Sequence, residues 1–273
     1  MQRRIAFFAG WISLGALLLS PALCLGSPSV AYQRAKIGKV WVNIITANLN
    51  DPAVRVTPAI ARHGIGTSES FRSIIRRTRP IAAIDGTFFC TRTLKPTGDI
   101  VIGGQLVYRG YLGTAVAFGD ANTVRFIDCQ DYRWTDYQSV LVAGPTLLIG
   151  GKLAVYPKDQ GFRSGVHFTP RIRAAIGLTK AGKLVLVTTL RNVYLSELAR
   201  VMRAIGCVEA AGLDGGSSTG LYWNGRLISN PSRGMTNCLL IYDNPFSYER
   251  HRDSFYPVER YTKGPTKRPP NGS

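Results

Sequence analysis

Acidic side chains are scarce: the 273 residues hold 16 Asp and Glu against 34 Lys and Arg, a formal charge of +18. That imbalance favours anionic partners (nucleic acid, phospholipid headgroups, or phosphate- and uronate-bearing glycans) without choosing among them. Histidine is scarcer still. His63, His167 and His251 stand far apart with no metal-ligand spacing, and the five cysteines include no C-x-x-C pair, so a structural zinc centre has no ligand set. No metal site is expected, no cofactor is required, and calcium is a candidate that no motif supports. There is no internal repeat beyond recurring hairpins. What the chain does have is bulk, since 45% hydrophobic residues over this length can bury a core.

Gln2-Arg3-Arg4 precedes an almost uninterrupted apolar run from Ile5 to Gly26. This is the layout of a secretory signal, cleaved near Ser20-Pro21-Ala22 or after Gly26, although the run is also long enough to stay as a membrane anchor. Cys24 follows Leu23, where a lipoprotein signal would have a small residue, so lipidation is discounted. The expected location is periplasmic or secreted, or anchored in the inner membrane through residues 5–26 and facing the periplasm. Export argues against nucleic acid as the partner, and no nucleic-acid motif is present. It also leaves Cys90, Cys129, Cys207 and Cys238 where disulfides persist. Three pairings are open, as is the alternative that all four are small buried hydrophobes.

Residues 27–36 read as a linker, and strands are expected over Lys39–Ala47 and Val54–Ile60. A short helix should start on a Thr67-Ser68 cap with Glu69 in its first turn, bury Phe71, Ile74 and Ile75, and stop before Pro80. Beyond Ile81 the apolar runs are punctuated by Gly103-Gly104, Gly119–Asn122, Gly150-Gly151, Lys180–Lys183 and Asn224-Gly225. Each has hairpin chemistry, strongest at Asn224-Gly225. Leu195, Leu198, Ala199, Met202 and Ile205 share one helical face, with Ser196 as cap and Gly206 as terminator. A strand Cys207–Leu213 should then deliver Asp214 at its end. Residues 244–273, basic and proline-rich without an apolar period, read as a disordered tail. The fold class is α+β: a single domain over 37–243, with strand-rich mixed sheets, several hairpins and two main helices.

The segment Gly212-Leu-Asp-Gly-Gly-Ser-Ser-Thr-Gly220 concentrates the chemistry. Adjacent glycines let the backbone turn sharply beside Asp214, and Ser217, Ser218 and Thr219 add hydroxyls. Such a loop suits a phosphate or a sugar, with amides of Gly215 and Gly216 turned toward it; the blander reading is a turn whose aspartate caps local amides. Gly216–Gly220 also satisfies the G-x-S-x-G pattern of a nucleophile elbow. A hairpin rather than a helix follows, however, and the triad would need Asp243 and His251 from the expected tail. Two more clusters stand at strand ends: Asp85-Gly86-Thr87, and Arg173, whose guanidinium suits a phosphate.

Taken in order, Ile84-Asp-Gly-Thr-Phe-Phe89, Gly144-Pro-Thr-Leu147, Arg173-Ala-Ala-Ile-Gly177, the 196–206 helix, Leu213–Thr219, Trp223-Asn-Gly225 and Asn230-Pro-Ser232 resemble the phosphodiester glycosidase domain. That is the domain of N-acetylglucosamine-1-phosphodiester α-N-acetylglucosaminidases and bacterial exopolysaccharide-associated relatives. The resemblance spans residues 80–242. It implies an exported hydrolase of glycosyl phosphodiesters acting on an anionic or phosphate-bearing glycan. Asp214, Arg173 and Asp85 would be its catalytic residues, with Thr87, Phe88, Gly215, Gly216, Ser217, Ser218, Thr219, Ser232 and Arg233 binding substrate. Asp85 stands where the family usually has Asn, Ser217 where it has a third glycine, and the loop carrying Arg233 is short. A non-catalytic glycan-binding or exopolysaccharide-assembly protein using the same pocket is the alternative.

Overall fold

The computed structural model describes residues 28–129 and 133–256. The apolar stretch at 5–26, with its signal or anchor reading, and the chain beyond 256 lie outside them. The first strands are β1 (Val30–Ile37), β2 (Val40–Asn48) and β3 (Arg55–Ile60). Helix α1 (Phe71–Thr78) leads into β4 (Ala82–Asp85). Short strands follow: β5 (Ile100–Ile102), β6 (Gln105–Tyr108), β7 (Thr114–Phe118), β8 (Val124–Asp128), β9 (Ser139–Val142), β10 (Thr146–Ile149) and β11 (Lys152–Leu153). Then come β12 (Ala174–Thr179), β13 (Lys183–Thr189), α2 (Leu195–Ile205) and β14 (Cys207–Leu213). The last are β15 (Leu221–Trp223), β16 (Arg226–Ser229), β17 (Asn237–Tyr242) and α3 (Pro245–His251).

The strands build three sheets, in the orders β1-β2-β13-β12-β14-β10-β11, β16-β15-β4-β17-β3 and β6-β5-β9-β7-β8. The α+β class is as expected, but the sheets are not mixed: every strand pairing among the described residues is antiparallel. In the first sheet alternate side chains serve two cores. Ile45, Leu184, Leu186, Ile176 and Ala211 face the central cluster, while Ile44, Val185, Val187, Ala175 and Ala210 face α2. A sheet buried on both faces holds its register firmly, because a one-residue slip would exchange the two sets. That register fixes where β14 ends, and so where Asp214 stands.

The expected turns close their hairpins. Asn224 (φ 38°) and Gly225 (φ 85°) take the two positive angles of a type I′ turn between β15 and β16. Four local expectations are corrected. Of the linker expected over 27–36, residues 30–36 are instead strand, since Val30–Ile37 pair along their whole length with β2. The cap of α1 is Ser70, whose hydroxyl accepts from Ser73 N, and Glu69 sits before the helix in an ion pair with Arg77 at 3.0 Å. The cap of α2 is Tyr194, whose N–H donates to Glu197 at 3.0 Å, and Gly206 ends the helix at φ 103°.

The fourth correction concerns the tail. Asn244 accepts from Phe246 N and Ser247 N, Pro245 opens α3, and Tyr248 and Phe255 pack on Tyr242 with ring centroids at 5.7 and 5.9 Å. Phe255 is fully buried, and burying such a ring contributes about 1.5–3 kcal/mol. The folded unit thus runs beyond 37–243 on both sides and has a third helix. Cys90, Cys129, Cys207 and Cys238 are unpaired, the last three buried as small hydrophobes. No helix among the described residues is long and apolar enough to cross a membrane.

Candidate active site

The ends of β4 and β14, far apart in sequence and in different sheets, are stitched together. Asp214 N donates to Gly86 O at 3.0 Å, Asp85 N to Gly220 O at 3.2 Å, and Gly220 N to the Asp85 carboxylate at 3.0 Å. Beside this junction opens a cleft of about 550 Å³. Its floor is the 214–218 turn, and its walls are Phe88 and Phe89 after β4, the 161–173 segment before β12, Tyr111, and Arg233 before β17.

Asp214 is the cleft's only carboxylate among the described residues, facing a rim of Arg163, Arg171, Arg173 and Arg233. Half-buried, it accepts from Gly215 N at 2.9 Å. Loss of water around the carboxyl raises its pKa to about 6, against the opposing hydrogen bonds from Ser218 and Gly215 N and the attraction of Arg233. Arg233 lies with its guanidinium 4.4 Å from the Phe89 ring centre and makes no ion pair among the described residues. A flat cation stacked on a ring is held in place without a carboxylate to neutralise it.

The turn differs from the expected amide cradle. Gly216 N donates to Ile172 O at 2.8 Å, Ser218 N to Gly215 O at 3.2 Å and Thr219 N to Gly216 O at 3.2 Å, so with Gly215 N these amides are already engaged. A Cβ on Gly215 would lie 2.7 Å from Ile172 O. Glycine there lets the turn press against the segment before β12 that carries Ile172 and Arg173, rather than admitting a ligand to the backbone. What faces the cleft is the side of Gly215 and Gly216 together with Ser217 and Ser218.

Arg173 lines the cleft but is 3% exposed. Its Nε donates to Val193 O at 3.2 Å and its Nη2 to Val166 O at 2.9 Å and Thr169 O at 2.6 Å. Nη2 therefore braces the 161–173 wall and Nε ties it to Val193, while Nη1 makes no hydrogen bond among the described residues. Thr87, Thr219 and Ser232 do not line the cleft. Thr87 and Thr219 are buried with hydroxyls lacking partners among the described residues, and Ser232 supports the turn by donating its N–H to Ser217 O at 3.0 Å.

Asp85 does not reach the cleft. It is fully buried, one carboxyl oxygen takes the Gly220 N–H, and the other has no partner among the described residues. Burial foremost, with the nearby Asp214 charge, raises its pKa well above the usual carboxylate range. A protonated carboxyl pairs one donor group with one acceptor oxygen, as an amide group does with its NH₂ and carbonyl. Asp85→Asn should therefore fold and should gain stability over the parent as pH rises. A native pKa above the unfolded one means that the stabilisation is complete below the unfolded value and is lost as pH climbs through the folded one. Thermal melts from pH 5 to 9 decide this; a variant less stable at every pH would show that the carboxyl is needed for itself.

His167 is a cleft residue that no local pattern in the sequence announces. It is 7% exposed, with ring centroids of Phe162 and Phe88 at 4.7 and 4.9 Å. Burial, and then the charge of Arg173, depress its pKa to about 4, so it is a neutral imidazole at physiological pH. Its Nδ1 is buried without a partner among the described residues. With Phe88 and Phe162 it makes an apolar wall with a polar edge, the surface a sugar ring presents in complement.

Residues 78–242 match the family model described as phosphodiester glycosidase. Among solved structures, a hypothetical protein of Synechocystis superposes with a TM-score of 0.70 at 17% identity, covering 78% of this chain and 62% of that one. This chain thus spans less than two thirds of that protein's length. The catalytic domain of zebrafish N-acetylglucosamine-1-phosphodiester α-N-acetylglucosaminidase, auto-inhibited by its pro-peptide, superposes at 0.64 and 21% identity, covering 80% of this chain and 85% of that one. A Burkholderia pseudomallei protein described as exported superposes at 0.55 and 16%, with 74% of each chain covered. No curated protein matches the sequence. Identities this low speak to the fold alone.

Proposed function

The chain belongs to the phosphodiester glycosidase family, and from that premise we propose that it is an exported hydrolase that cleaves the bond between a sugar's anomeric carbon and a phosphate oxygen. The observation that carries this reading is a single half-buried carboxylate in a cleft otherwise rimmed by arginines. Ordinary glycosidases need two carboxyl groups, one to protonate an alkoxide leaving group. A phosphate monoester leaves without that proton, so one carboxylate is enough.

In the proposed reaction Asp214 takes a proton from a water molecule as its oxygen bonds to the anomeric carbon. The carbon–oxygen bond to phosphate breaks, and the pair of electrons leaves on the phosphate. Arg233, with Arg163, Arg171 and the free Nη1 of Arg173, holds that growing negative charge. Ser217, Ser218 and the wall of Phe88, Phe162 and His167 hold the sugar. The substrate is an anionic or phosphate-bearing glycan of the envelope or its surroundings. Export is supported by the N-terminal apolar run and the exported Burkholderia relative in fold.

The test is hydrolysis by the full chain of a panel of sugar-1-phosphodiesters, GlcNAc-phosphate-mannose among them, followed across pH. Release of a free sugar is expected, with kcat/KM falling as pH drops below about 6, because a base must be ionised and the Asp214 carboxyl titrates there. Tight binding of every member without release would make the chain a glycan-binding protein. A rate that instead falls above pH 6 would recast Asp214 as an acid.

A further inference from the structure

At the far end of β4 from the cleft, across roughly 13 Å of strand, lies a second concavity of about 460 Å³. Arg72, Arg76 and Arg79 rim it from α1, its floor is Ile75, Pro80 and Leu227, and Tyr222 closes one side. No carboxylate lines it, and none of the three exposed arginines makes an ion pair among the described residues. Arg250 of α3 continues the cationic surface beyond Arg79, with His251 beside it.

The C-terminal end of α1 favours a cation such as Arg76 in its last turn, but two features of the cluster run against local preference. Arg72 and Arg76 sit one turn apart, where like charges repel along the helix face. Arg79 occupies the left-handed position that ends α1, φ 46° and ψ 50°, where glycine or asparagine is the relaxed choice. Three unpaired guanidiniums kept around a concave, partly apolar floor fit a ligand that is both charged and ring-bearing. The Tyr222 hydroxyl accepts from Gly225 N at 2.9 Å, which fixes its ring as a platform at the groove's edge.

We infer that this groove is a secondary binding site for an anionic polysaccharide strand, with Arg72, Arg76 and Arg79 holding successive charges and Tyr222 and Leu227 carrying a sugar ring between them. A bilayer surface would fit a flat or convex basic face rather than this hollow. The site would hold the polymer near the cleft, and it stands whether or not the cleft hydrolyses it.

The test uses the full chain with polygalacturonate oligomers, which carry one carboxylate on each sugar, neutral dextran of equal length, and phosphatidylglycerol vesicles. The full chain should bind polygalacturonate and ignore dextran. The triple variant Arg72→Ala, Arg76→Ala, Arg79→Gly should bind at least tenfold more weakly at 0.15 M salt. It relieves the repulsion and the left-handed backbone, so its melting temperature should be unchanged or higher. A charge-matched variant with Arg34, Arg125 and Arg203 changed to Ala should stay within threefold of the parent, and hydrolysis of a small sugar-1-phosphodiester should be the same in all three. Equal weakening in both variants would reduce the effect to net charge and overturn the site. Vesicle binding without polygalacturonate binding would overturn it in favour of a membrane face. Polysaccharide binding that follows this pattern, with no small substrate hydrolysed, supports the groove and counts against the proposed catalysis instead.

Discussion

Asp214→Asn should lower kcat/KM for a sugar-1-phosphodiester by about 10²–10⁴, the span expected when a positioned base is removed, and should at the same time stabilise the fold above pH 6. The two effects have one cause. The carboxyl is raised from 3.8 to about 6 because the cleft strips water from it. Below the unfolded value both states are protonated and the native state bears no penalty. As pH rises through about 6 the native protein must hold a poorly hydrated charge, and stability falls by at most about 3 kcal/mol. An amide at 214 never bears that charge. Melting temperatures of parent and variant should therefore agree near pH 4 and separate at pH 8 in favour of the variant, while activity is lost throughout. Retained turnover would remove Asp214 from the chemistry, and a variant destabilised at pH 8 would show the carboxylate to be a structural acceptor for Gly215 N.

The sequence was most legible where a local pattern serves a local purpose. The strand ending at Leu213 keeps its expected bounds because its apolar run is bracketed by a helix-ending glycine and a turn aspartate. The Asn224-Gly225 turn was legible for the same reason, the conformation being written in the two residues that adopt it. β1 was illegible because it is an edge strand whose exposed residues include Gln33, Arg34 and Lys36, so no apolar alternation marks it. α3 was illegible because Tyr248 is its one buried residue, and one position has no period.

At the candidate site the divide follows range. That Asp214 stands at a strand end beside small residues could be read from its neighbours. That Asp85 turns away from the cleft depends on Gly220, 135 residues on. The engagement of the amides of Gly215, Gly216, Ser218 and Thr219 depends partly on Ile172 O, and that of Arg173 on carbonyls at 166, 169 and 193. His167 enters the cleft only because Phe88 and Phe162 come to flank it. Residue chemistry marked the region, and tertiary packing decided which groups face the substrate.

Gly86→Ala should be the most damaging single methyl addition at the junction. A Cβ at 86 would lie 1.8 Å from Asn237 Oδ1 and 2.9 Å from Asn237 Cγ. Asn237 has nowhere to retreat: it is 1% exposed, its Oδ1 accepts from Thr87 N at 2.8 Å, and its Nδ2 donates to Thr236 Oγ1 at 2.9 Å. Moving it leaves a buried N–H unpaired, about 1–3 kcal/mol, on top of an overpacking cost of about 1–3 kcal/mol. The sum is a large part of the about 5–15 kcal/mol that holds a typical domain together. Activity should fall with stability, because Gly86 O is the acceptor that positions Asp214 N. Denaturant unfolding of a double-mutant cycle isolates the cause. If the clash is with the Asn237 side chain, adding Gly86→Ala to an Asn237→Ala background should cost under about 1 kcal/mol, the nearest remaining atom then being the Asn237 backbone carbon at 3.2 Å. Additive losses in the cycle would mean that glycine is required at 86 for its backbone rather than for the space beside Asn237.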